Sequence, residues 1–594
     1  MANLKSRIAA AVGEVPGTLL LEAVDLVNVV TCELLEGQSI LLYEDTIVAI
    51  GSTDEFSSSQ ASEVVDCTGL VACPSFVDCH LHIESSMLSL ENFAKVSVVY
   101  GTGGIAIDPH ELANVYGRRA LEWLRESSTS VSSILNVWLE VPSCVPATPF
   151  ETSGAVLSAD DVEELLSSPD EPDFIGLAEM MNYPGVLAGD NEVLRKISSA
   201  LAADKIVEGH APALTGRNLC GYLAAGVESD HEATSGEEAI EKLRQGMKVQ
   251  IRYGSLAKDL ESIVPSLVHQ RMDTRHIMVV SDDRHPNEIL KSGHLNEALR
   301  ECVRLGIDPC EALQWVTINP VTHLRLNHKY GTLTPGKKAN ITLLSSLEEF
   351  SVEAVIHRGQ IVAREGKLLL SVPRPKPPQE FLRTMKLKRT PKVEEFQIVT
   401  DTTSDEIDAH IIGVQEGSLL TKHLVRSIGV SNRRIIRPQL EDDILSISVI
   451  ERHGHGGSIS TGLVTGFGFH NGALASTVAH DSHNVLVVGT DPELMLKAVL
   501  ELIKLGGGIS AVNSDDTISI PLPICGLLSL KNAEEVSNQM DNLLAFVAEE
   551  IGTSLINPPM SLSFLALPVI PELKITDKGL FDVTKFEFIN VLSS

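Results

Sequence analysis

Two histidines one residue apart are the first residues whose spacing suggests chemistry. His80 and His82 end an apolar run in the stretch VDCHLHIESSML, and Glu84 follows them. Because alternate side chains of a strand point to the same face, both imidazoles share a face, with Glu84 beside them if the strand persists. Two imidazoles on one face can hold a metal ion; the simpler alternative is a pair of surface histidines at a strand end.

Further polar clusters follow apolar segments along the chain. They are Asp108, His110 and Glu111 in AIDPHE, Glu179 in GLAEM, His210 in VEGHAP, Asp230 and His231 in VESDHE, and Asp282, Asp283 and His285 in VVSDDRHP. In a barrel of parallel strands, catalytic side chains converge from the C-terminal ends of different strands. Histidine and carboxylate donors without thiolate clusters suit Zn, Fe, Mn or Co. A purely structural origin for so many clusters in order is the weaker interpretation.

The elements that must position these residues form three regions. Repeated β-α units over residues 75–324 predict a parallel sheet, and their number favours a (β/α)8 barrel of the TIM type over a doubly wound open sheet. Residues 1–74 and 325–370 are β-rich, which predicts one β-sandwich module built from both flanks of the barrel. A Pro-rich linker at 371–384 precedes a predicted C-terminal α/β domain at 385–594.

Composition limits the possible partners. The net charge of -32 would repel a phosphate backbone, so nucleic acid is not an expected partner. The sequence contains no recognisable signal peptide and no apolar run long enough to span a bilayer, so no membrane association is expected. Nine scattered cysteines without a CxxC pair indicate reduced thiols. Together these features predict a cytoplasmic protein.

Longer motifs carry a family resemblance. The sequence resembles the amidohydrolase superfamily and, within it, the bacterial adenine deaminases. The matching stretches include PSFVDCHLHIESSML, DPHELANVYG, LEVPSCVPATPFETSGA, GHAPALTGRNLCGYLAAGVESDHE, SDDRHP, ASTVAHDSHNVLVVGT and MSLSFLALPVIPELKITDKGL. The HxH pair alone would indicate only the superfamily, whereas the VPATPFETSGA and AHDSHN segments are narrower signals. The resemblance covers almost the whole chain.

This resemblance implies a reaction and a cofactor. The expected reaction is hydrolysis of adenine to hypoxanthine and ammonia, a step of purine salvage, by metal-activated hydroxide attacking C6. The expected cofactor is two divalent ions per subunit, Mn²⁺ or Fe²⁺, with Zn²⁺ as a further option. The implied ligands are His80, His82 and Asp282 for the more buried ion, His210 and His231 for the second ion, and Glu179 between the two.

Proton transfer needs further groups. Asp282 is expected to take the water proton and give it to the departing amino group, which is general base and then general acid catalysis. Protonation of the purine ring would favour attack at C6, and both Glu84 and His110 are candidates. The sequence does not choose between them.

Several polar residues remain as candidates for substrate binding. Asp108, Glu111, Asp283 and His285 all lie in the same clusters. Asp108 precedes a proline at a helix start, so helix capping is an equal alternative for it. Surface loops are an equal alternative for Asp283 and His285.

Other positions have open roles. Asp230 could orient the imidazole of His231 through a hydrogen bond or face solvent, and Lys242 is expected to be a solvated charge. Tyr253 stands where relatives usually carry glutamate. The AHDSHN segment at 479–484 could bind another metal, reach into the barrel mouth, or close a subunit contact, with a local hydrogen-bonded turn slightly favoured.

Two other functions are compatible with the same residues. The first is a binuclear metal hydrolase for another cyclic amide or amidine. The second is a metal-free scaffold, which intact ligand residues argue against. A homo-oligomer, dimer or larger, is expected, with adenine and water as the small-molecule partners.

Overall fold

The N-terminal segment forms the first part of a β-sheet. The computed structural model describes residues 2–167, 174–431 and 435–593. A helix and five strands come first: Ala2–Ala11 (α1), Gly17–Asn28 (β1), Glu33–Tyr43 (β2), Thr46–Ser52 (β3), Ala61–Asp66 (β4) and Val71–Pro74 (β5). Leu19, Leu21 and Leu26 of β1 are buried, which follows from the apolar pattern of that strand.

Eight parallel strands follow. They are Phe76–Leu81 (β6), Thr102–Ile107 (β7), Asn136–Val141 (β8), Phe174–Met180 (β9), Ile206–Gly209 (β10), Ser229–Asp230 (β11), Lys248–Arg252 (β12) and Ile277–Val280 (β13). Every residue of β6, β7, β10 and β13 is buried. Burial on both faces explains why these strands read as continuous apolar runs.

The eight strands curl towards closure. β6 to β10 pair in order, and β11 to β13 form a second run. The amide of Glu228 donates to the carbonyl of Val207 at 3.0 Å, between β10 and β11. A parallel bridge joins Leu81 to Asp282, which places the end of β13 beside β6. Because β6 has neighbours on both edges, the sheet is curled and consistent with a TIM-type barrel, not with a doubly wound open sheet.

Helices connect the strands and cover the outside of the curled sheet. They are Leu90–Val98 (α2), His110–Tyr116 (α3), Arg118–Val131 (α4), Ala159–Ser167 (α5), Tyr183–Ala188 (α6), Asn191–Ala202 (α7), Gly216–Ala224 (α8), Gly236–Arg244 (α9), Leu260–Gln270 (α10), Pro286–Ser292 (α11), Leu295–Arg304 (α12), Pro309–Trp315 (α13) and Ile318–His323 (α14). Alternation of strand and helix leaves the C-terminal strand ends and their loops on one side.

The chain then returns to the first sheet. Four further strands are Ile341–Ser346 (β14), Ser351–His357 (β15), Gln360–Arg364 (β16) and Lys367–Leu368 (β17). β14 pairs antiparallel with β5, with Leu343 opposite Ala72. One nine-stranded sheet therefore combines strands from before and after the curled parallel sheet.

The C-terminal region contains its own sheets and helices. Its elements are Ile398–Val399 (β18), Glu406–Gly413 (β19), Lys422–Gly429 (β20), Ile435–Ile436 (β21), Ile444–Ile450 (β22), Ile459–Thr465 (β23), Ala473–Ser476 (β24), Val485–Gly489 (β25), Pro492–Leu505 (α15), Gly508–Val512 (β26), Thr517–Pro521 (β27), Ala533–Phe546 (α16), Pro558–Ser563 (α17), Leu573–Thr576 (β28), Gly579–Asp582 (β29) and Glu587–Ile589 (β30). Eight of these strands form one sheet, with order β20-β19-β23-β22-β25-β24-β26-β27. Met495 and Val499 of α15 join the buried cluster on that sheet.

The Pro-rich segment before the C-terminal region is anchored on helices of the parallel-sheet region. Phe381 is fully buried, and its ring lies 4.8 Å from that of Tyr116 and 5.5 Å from that of Trp123. Aromatic packing of this kind fixes the end of the Pro-rich segment against α3 and α4. Within the described ranges, every helix is too short or too polar to cross a bilayer.

Candidate metal centre

The six side chains expected to bind metal converge in one buried cluster. Each is between 1% and 5% exposed, and each lies at or just beyond the C-terminal end of a strand of the curled sheet. They are His80 and His82 at β6, Glu179 at β9, His210 at β10, His231 at β11 and Asp282 at β13. Five different strands therefore bring their ends to one point.

Glu179 lies between two sets of histidines. Its Oε2 atom is 2.7 Å from Nδ1 of His210 and 3.1 Å from Nε2 of His231. Its Oε1 atom is 3.5 Å from Nε2 of His82. One carboxylate thus faces both sets at once.

Asp282 faces the HxH pair. Its Oδ1 atom lies 3.2 Å from Nε2 of His82 and 3.5 Å from Nε2 of His80. Its backbone has φ of +53°, in the left-handed region that a non-glycine residue rarely adopts. Backbone strain of this kind costs about 1–3 kcal/mol and is concentrated at functional sites.

The histidine nitrogens fit a divalent ion as their missing partner. Both ring nitrogens of His80 have no hydrogen-bond partner among the described residues, and its Nε2 faces Asp282. A buried imidazole rarely lacks a hydrogen-bond partner on both ring nitrogens. His210 and His231 turn Nδ1 and Nε2, respectively, towards Glu179. Nδ1 of His82 lies 3.2 Å from the carbonyl of Asp108, which leaves Nε2 free to bind. Donor separations of 3.1–3.5 Å suit ligands that each lie about 2.1 Å from one ion.

Electrostatics keep the two carboxylates ionised. Burial raises the pKa of Glu179, but the charges of His231 and His210 outweigh it and hold the pKa well below its usual range. Burial also raises the pKa of Asp282, but the close approach of His80 and His82 outweighs burial and holds this pKa well below its usual range. Ionised carboxylates beside imidazoles are a donor set that a divalent cation can use, and binding the cation would release the imidazole protons.

Asp108, His110 and Glu84 occupy different positions beside the cluster. His110 lines the cavity, with Nδ1 3.4 Å from Oε1 of Glu179. Asp108 accepts the backbone amide of His110 at 3.0 Å and lies 3.1 Å from its ring, so this residue both caps the helix start and orients the imidazole. Glu84 is fully buried, and its Oε1 accepts the amide of Leu112 at 3.0 Å.

The other candidates for substrate binding differ in their distance from the cluster. Asp283 lines the same cavity and accepts a hydrogen bond from Ser85. Glu111 is fully buried, 3.5 Å from Nδ1 of His480. His285 lies outside this cavity, where its Nδ1 is 3.2 Å from the side-chain nitrogen of Asn557. The structure therefore brings Asp283 to the cluster and leaves His285 apart from it.

Comparison with known proteins identifies the family. Residues 71–362 match the sequence model of the amidohydrolase family, and residues 418–587 match that of the adenine deaminase C-terminal domain. An adenine deaminase of Methanococcoides burtonii is 38% identical over 589 residues, which cover 99% of this chain and 98% of that protein. One of Clostridium acetobutylicum is 39% identical over 590 residues, with 99% and 100% covered. The chain belongs to the adenine deaminase family.

In this adenine deaminase family member, two residues near the metal centre were missed from the sequence. Arg252 at the end of β12 is 2.5 Å from Oε1 of Glu232 and 3.7 Å from Oδ2 of Asp282. Glu232 lines the cavity, 3.5 Å from Nε2 of His231. A polar residue at a buried strand end was the available signal for Arg252. Its neighbour Tyr253 is half-buried and lies between Lys258 and Arg284, away from the ligands.

The expectation for Lys242 was wrong, and Asp230 has a third role. Lys242 is fully buried, and its Nζ donates to Asp230 at 2.8 Å and to the carbonyl of Ala211 at 2.8 Å. Asp230 is fully buried and also accepts the amide of Ala211 at 2.8 Å. It neither orients the ring of His231 nor faces solvent. The pair instead joins the loops that carry His210 and His231.

The AHDSHN segment reaches the cavity at the C-terminal strand ends of the curled sheet. His480 and Asp481 line the metal-centre cavity together with apolar residues of the C-terminal region. Those apolar residues are Leu419, Phe564, Leu567 and Ile570. The cavity of this adenine deaminase family member is therefore bounded by the cluster of histidines and carboxylates on one side and by the C-terminal region on the other.

Proposed function

We propose that this protein hydrolyses adenine to hypoxanthine and ammonia. Its relatives of the same length carry that name. The observation that carries the proposal is the convergence of Glu179 with four histidines and Asp282 in one buried cluster that lines a cavity. Adenine has a poor leaving group, so a site that activates water and supplies a proton is what the reaction needs.

We propose two divalent ions as the cofactor, Mn²⁺ or Fe²⁺, with Zn²⁺ as the alternative. His80, His82 and Asp282 would hold one ion and His210 and His231 the other, with Glu179 shared between them. When bound, such ions lower the pKa of water enough to make a nucleophile available near neutral pH. The support is Nε2 of His80, which lacks a hydrogen-bond partner within the described ranges and faces Asp282, together with the ionised carboxylates of Glu179 and Asp282.

The chain's own side chains move the protons. Asp282 accepts a proton from the attacking water as the O–C6 bond forms, and then delivers it to N6 as the C6–N6 bond breaks and ammonia leaves. We assign protonation of the ring nitrogen N1 to His110 rather than Glu84; as ammonia leaves, the C6 hydroxyl gives its proton back to His110, which leaves neutral hypoxanthine. His110 lines the cavity, whereas Glu84 is not among the residues that line it.

The proposal extends to the architecture. We propose a (β/α)8 barrel at residues 75–324, a composite β-sandwich module at 1–74 and 325–370, a linker at 371–384 and a C-terminal domain at 385–594. The single sheet shared by β5 and β14 supports the composite module. We further propose a cytoplasmic homo-oligomer that binds neither nucleic acid nor membrane, in agreement with the net charge of -32.

An ultraviolet assay with adenine tests this function. The protein, purified under reducing conditions with Mn²⁺ or Fe²⁺ added, should convert adenine to hypoxanthine, and metal analysis should give two ions per chain. Guanine, adenosine and cyclic amides serve as comparison substrates. Turnover of a cyclic amide but not of adenine would replace the proposed substrate, and absence of both metal and turnover would indicate a scaffold.

A further inference from the structure

The segment Ala479–Asn484 is built onto the parallel-sheet region by specific hydrogen bonds. Ser482 donates through Oγ to Oε2 of Glu151 at 2.6 Å, and Asn484 donates through Nδ2 to the carbonyl of Thr152 at 2.9 Å. Glu151 and Thr152 belong to the loop after β8. The contact between the two regions therefore has a fixed register at this segment.

Residues of the C-terminal region also hold the same segment in place. Arg452, which is fully buried, donates through Nε to the carbonyl of His483. The carbonyl of Ser482 lies 2.6 Å from Nε2 of His453. Hydrogen bonds on both sides leave the segment little freedom, so the side chains between them are presented to the cavity in a defined position.

Two polar side chains of the segment face the cavity without full hydrogen bonding. Asp481 is 1% exposed; its Oδ1 lies 3.4 Å from Nε2 of His110, and its Oδ2 has no partner in the part of the chain that the structure describes. His480 is 3% exposed and stacks on Phe564, with ring centroids 4.3 Å apart. Its Nε2 also lacks a partner among those residues. Buried polar atoms in this state call for a ligand.

Resting on the proposed function, we propose that Asp481 binds the substrate by accepting a hydrogen bond from the N–H of the purine's imidazole ring. An ionised carboxylate only accepts hydrogen bonds. Adenine offers two kinds of donor, the N6 amino group and the imidazole N–H. The amino group is at the reacting carbon, beside the metal ligands. The ring of His110 lies between Glu179 and Asp481, with Nδ1 near the first carboxylate and Nε2 near the second. Asp481 is therefore remote from the reacting carbon, and the imidazole N–H, which is remote from C6, is the donor that can reach it.

This placement makes Asp481 a determinant of specificity. A nucleoside carries a sugar at N9 and so has no N–H on its imidazole ring. A site that holds a buried carboxylate for that N–H rejects the substituted base, because the carboxylate would stay unpaired. The C-terminal region thereby selects the free base.

The test compares adenine with 9-methyladenine, which lacks that N–H, in the wild type and in Asp481→Ala and Asp481→Asn. For Asp481→Ala we expect kcat/KM for adenine to fall about 10- to 100-fold, as for loss of a hydrogen bond to a charged group. The kcat/KM for 9-methyladenine, or its affinity as an inhibitor if it is not turned over, should instead rise, because the carboxylate that would stay unpaired against this base is gone. Asp481→Asn keeps an acceptor oxygen and should lose less.

Asp577→Asn is the matched control. Asp577 is also buried and also joins the two regions, through the amide of Thr152 and the hydroxyl of Ser458, but it does not line the cavity. Its kcat/KM should stay within about threefold of wild type. If Asp481→Ala lowered kcat/KM equally for adenine and 9-methyladenine, the proposed contact between Asp481 and the substrate would be wrong. Asp481 would then be a positioning residue for His110. Wild-type protein inactive on adenine would instead reject the proposed function, and dissociation constants from calorimetry would then make the same comparison of the two bases.

Discussion

The Oε2 atom of Glu179 lies 2.7 Å from Nδ1 of His210, while Oε1 of the same side chain faces His82. Glu179 is on β9, and in the strand order β10-β9-β8-β7-β6 the two histidines come from strands on opposite sides of it, β10 and β6. A carboxylate in this position contacts both sets of proposed ligands, so it would couple the occupancy of the two proposed ions.

Substitution Glu179→Gln tests this coupling. The amide removes the negative charge and presents a donor where a ligand is needed. We expect metal content to fall from two ions to one or fewer per chain. We expect kcat/KM to fall by more than about 100-fold, because loss of outer partners of metal ligands alone costs 10- to 100-fold. Metal analysis and the adenine assay measure both effects.

Glu179→Asp is the companion variant. It keeps the charge but shortens the side chain, so the oxygens can no longer reach both histidine sets equally. Metal content should be intermediate between wild type and Glu179→Gln. Two tightly held ions and near-wild-type turnover in Glu179→Gln would contradict a shared ligand.

Asp282→Asn tests the proton shuttle. An amide cannot accept the water proton, so we expect kcat to fall about 10²- to 10⁴-fold, the usual contribution of general acid–base catalysis. Circular dichroism should remain that of the wild type. Asp190→Asn is the control, because Asp190 caps α7 on the surface and Asn caps helices equally well. Unchanged turnover in Asp282→Asn would remove Asp282 from this role.

The positions of the metal-centre residues could be predicted from the sequence because they depend on short local patterns. A polar residue directly after an apolar strand lies at a C-terminal strand end, and parallel strands bring those ends together. This is why the amino-acid sequence alone is enough to group His80, Glu179 and Asp282. The same rule could have found Arg252, the last residue of β12.

Contacts between distant elements could not be found in this way. Lys242 follows three acidic residues on a charged helix, a pattern typical of a solvated face, yet its side chain is buried against Asp230. The cavity side formed by His480 and Asp481 depends on how the C-terminal region packs against the parallel-sheet region, and no local spacing encodes that packing. The sequence predicts one module from both flanks, but the pairing of β5 with β14, which puts nine strands in a single sheet, is a long-range contact that local spacing does not encode.

The buried Lys242–Asp230 pair predicts a large effect on stability. Burial raises the pKa of Asp230, but the charges of Lys242 and His231 outweigh it and hold this pKa below its usual range. Lys242→Met would leave the carboxylate buried without its cation, which costs about 3–5 kcal/mol. Because Asp230 holds the amide of Ala211 beside His210, metal content should fall as well. Urea unfolding and metal analysis measure the two effects.

Lys248→Met is the control for that variant. Lys248 pairs with Glu228, but both side chains are 23% exposed, so the free energy of unfolding should change by no more than about 1 kcal/mol. Equal effects of the two substitutions would show that burial of the first pair does not matter.

Lys574 predicts a specific pH dependence. It is fully buried in β28, and its Nζ donates to the carbonyls of Leu419 at 2.9 Å and Phe564 at 3.0 Å, two residues that line the cavity. Burial lowers its pKa from 10.5 to about 7. Between these values the unfolded chain binds a proton at Lys574 that the folded chain does not. This group therefore makes the folded state more stable as pH rises through that window, by at most about 1.4 kcal/mol per pH unit.

Lys574→Met removes this contribution. The difference in urea midpoint between wild type and variant should shift in favour of the wild type from about pH 7.5 to about pH 9.5, values chosen inside the window, and should be constant below about pH 6, where both states bind the proton. Because the same metal centre titrates in both proteins, it cancels from the difference. A difference that does not change between the two alkaline pH values would mean that Lys574 stays protonated in the folded protein, held by the two carbonyls alone.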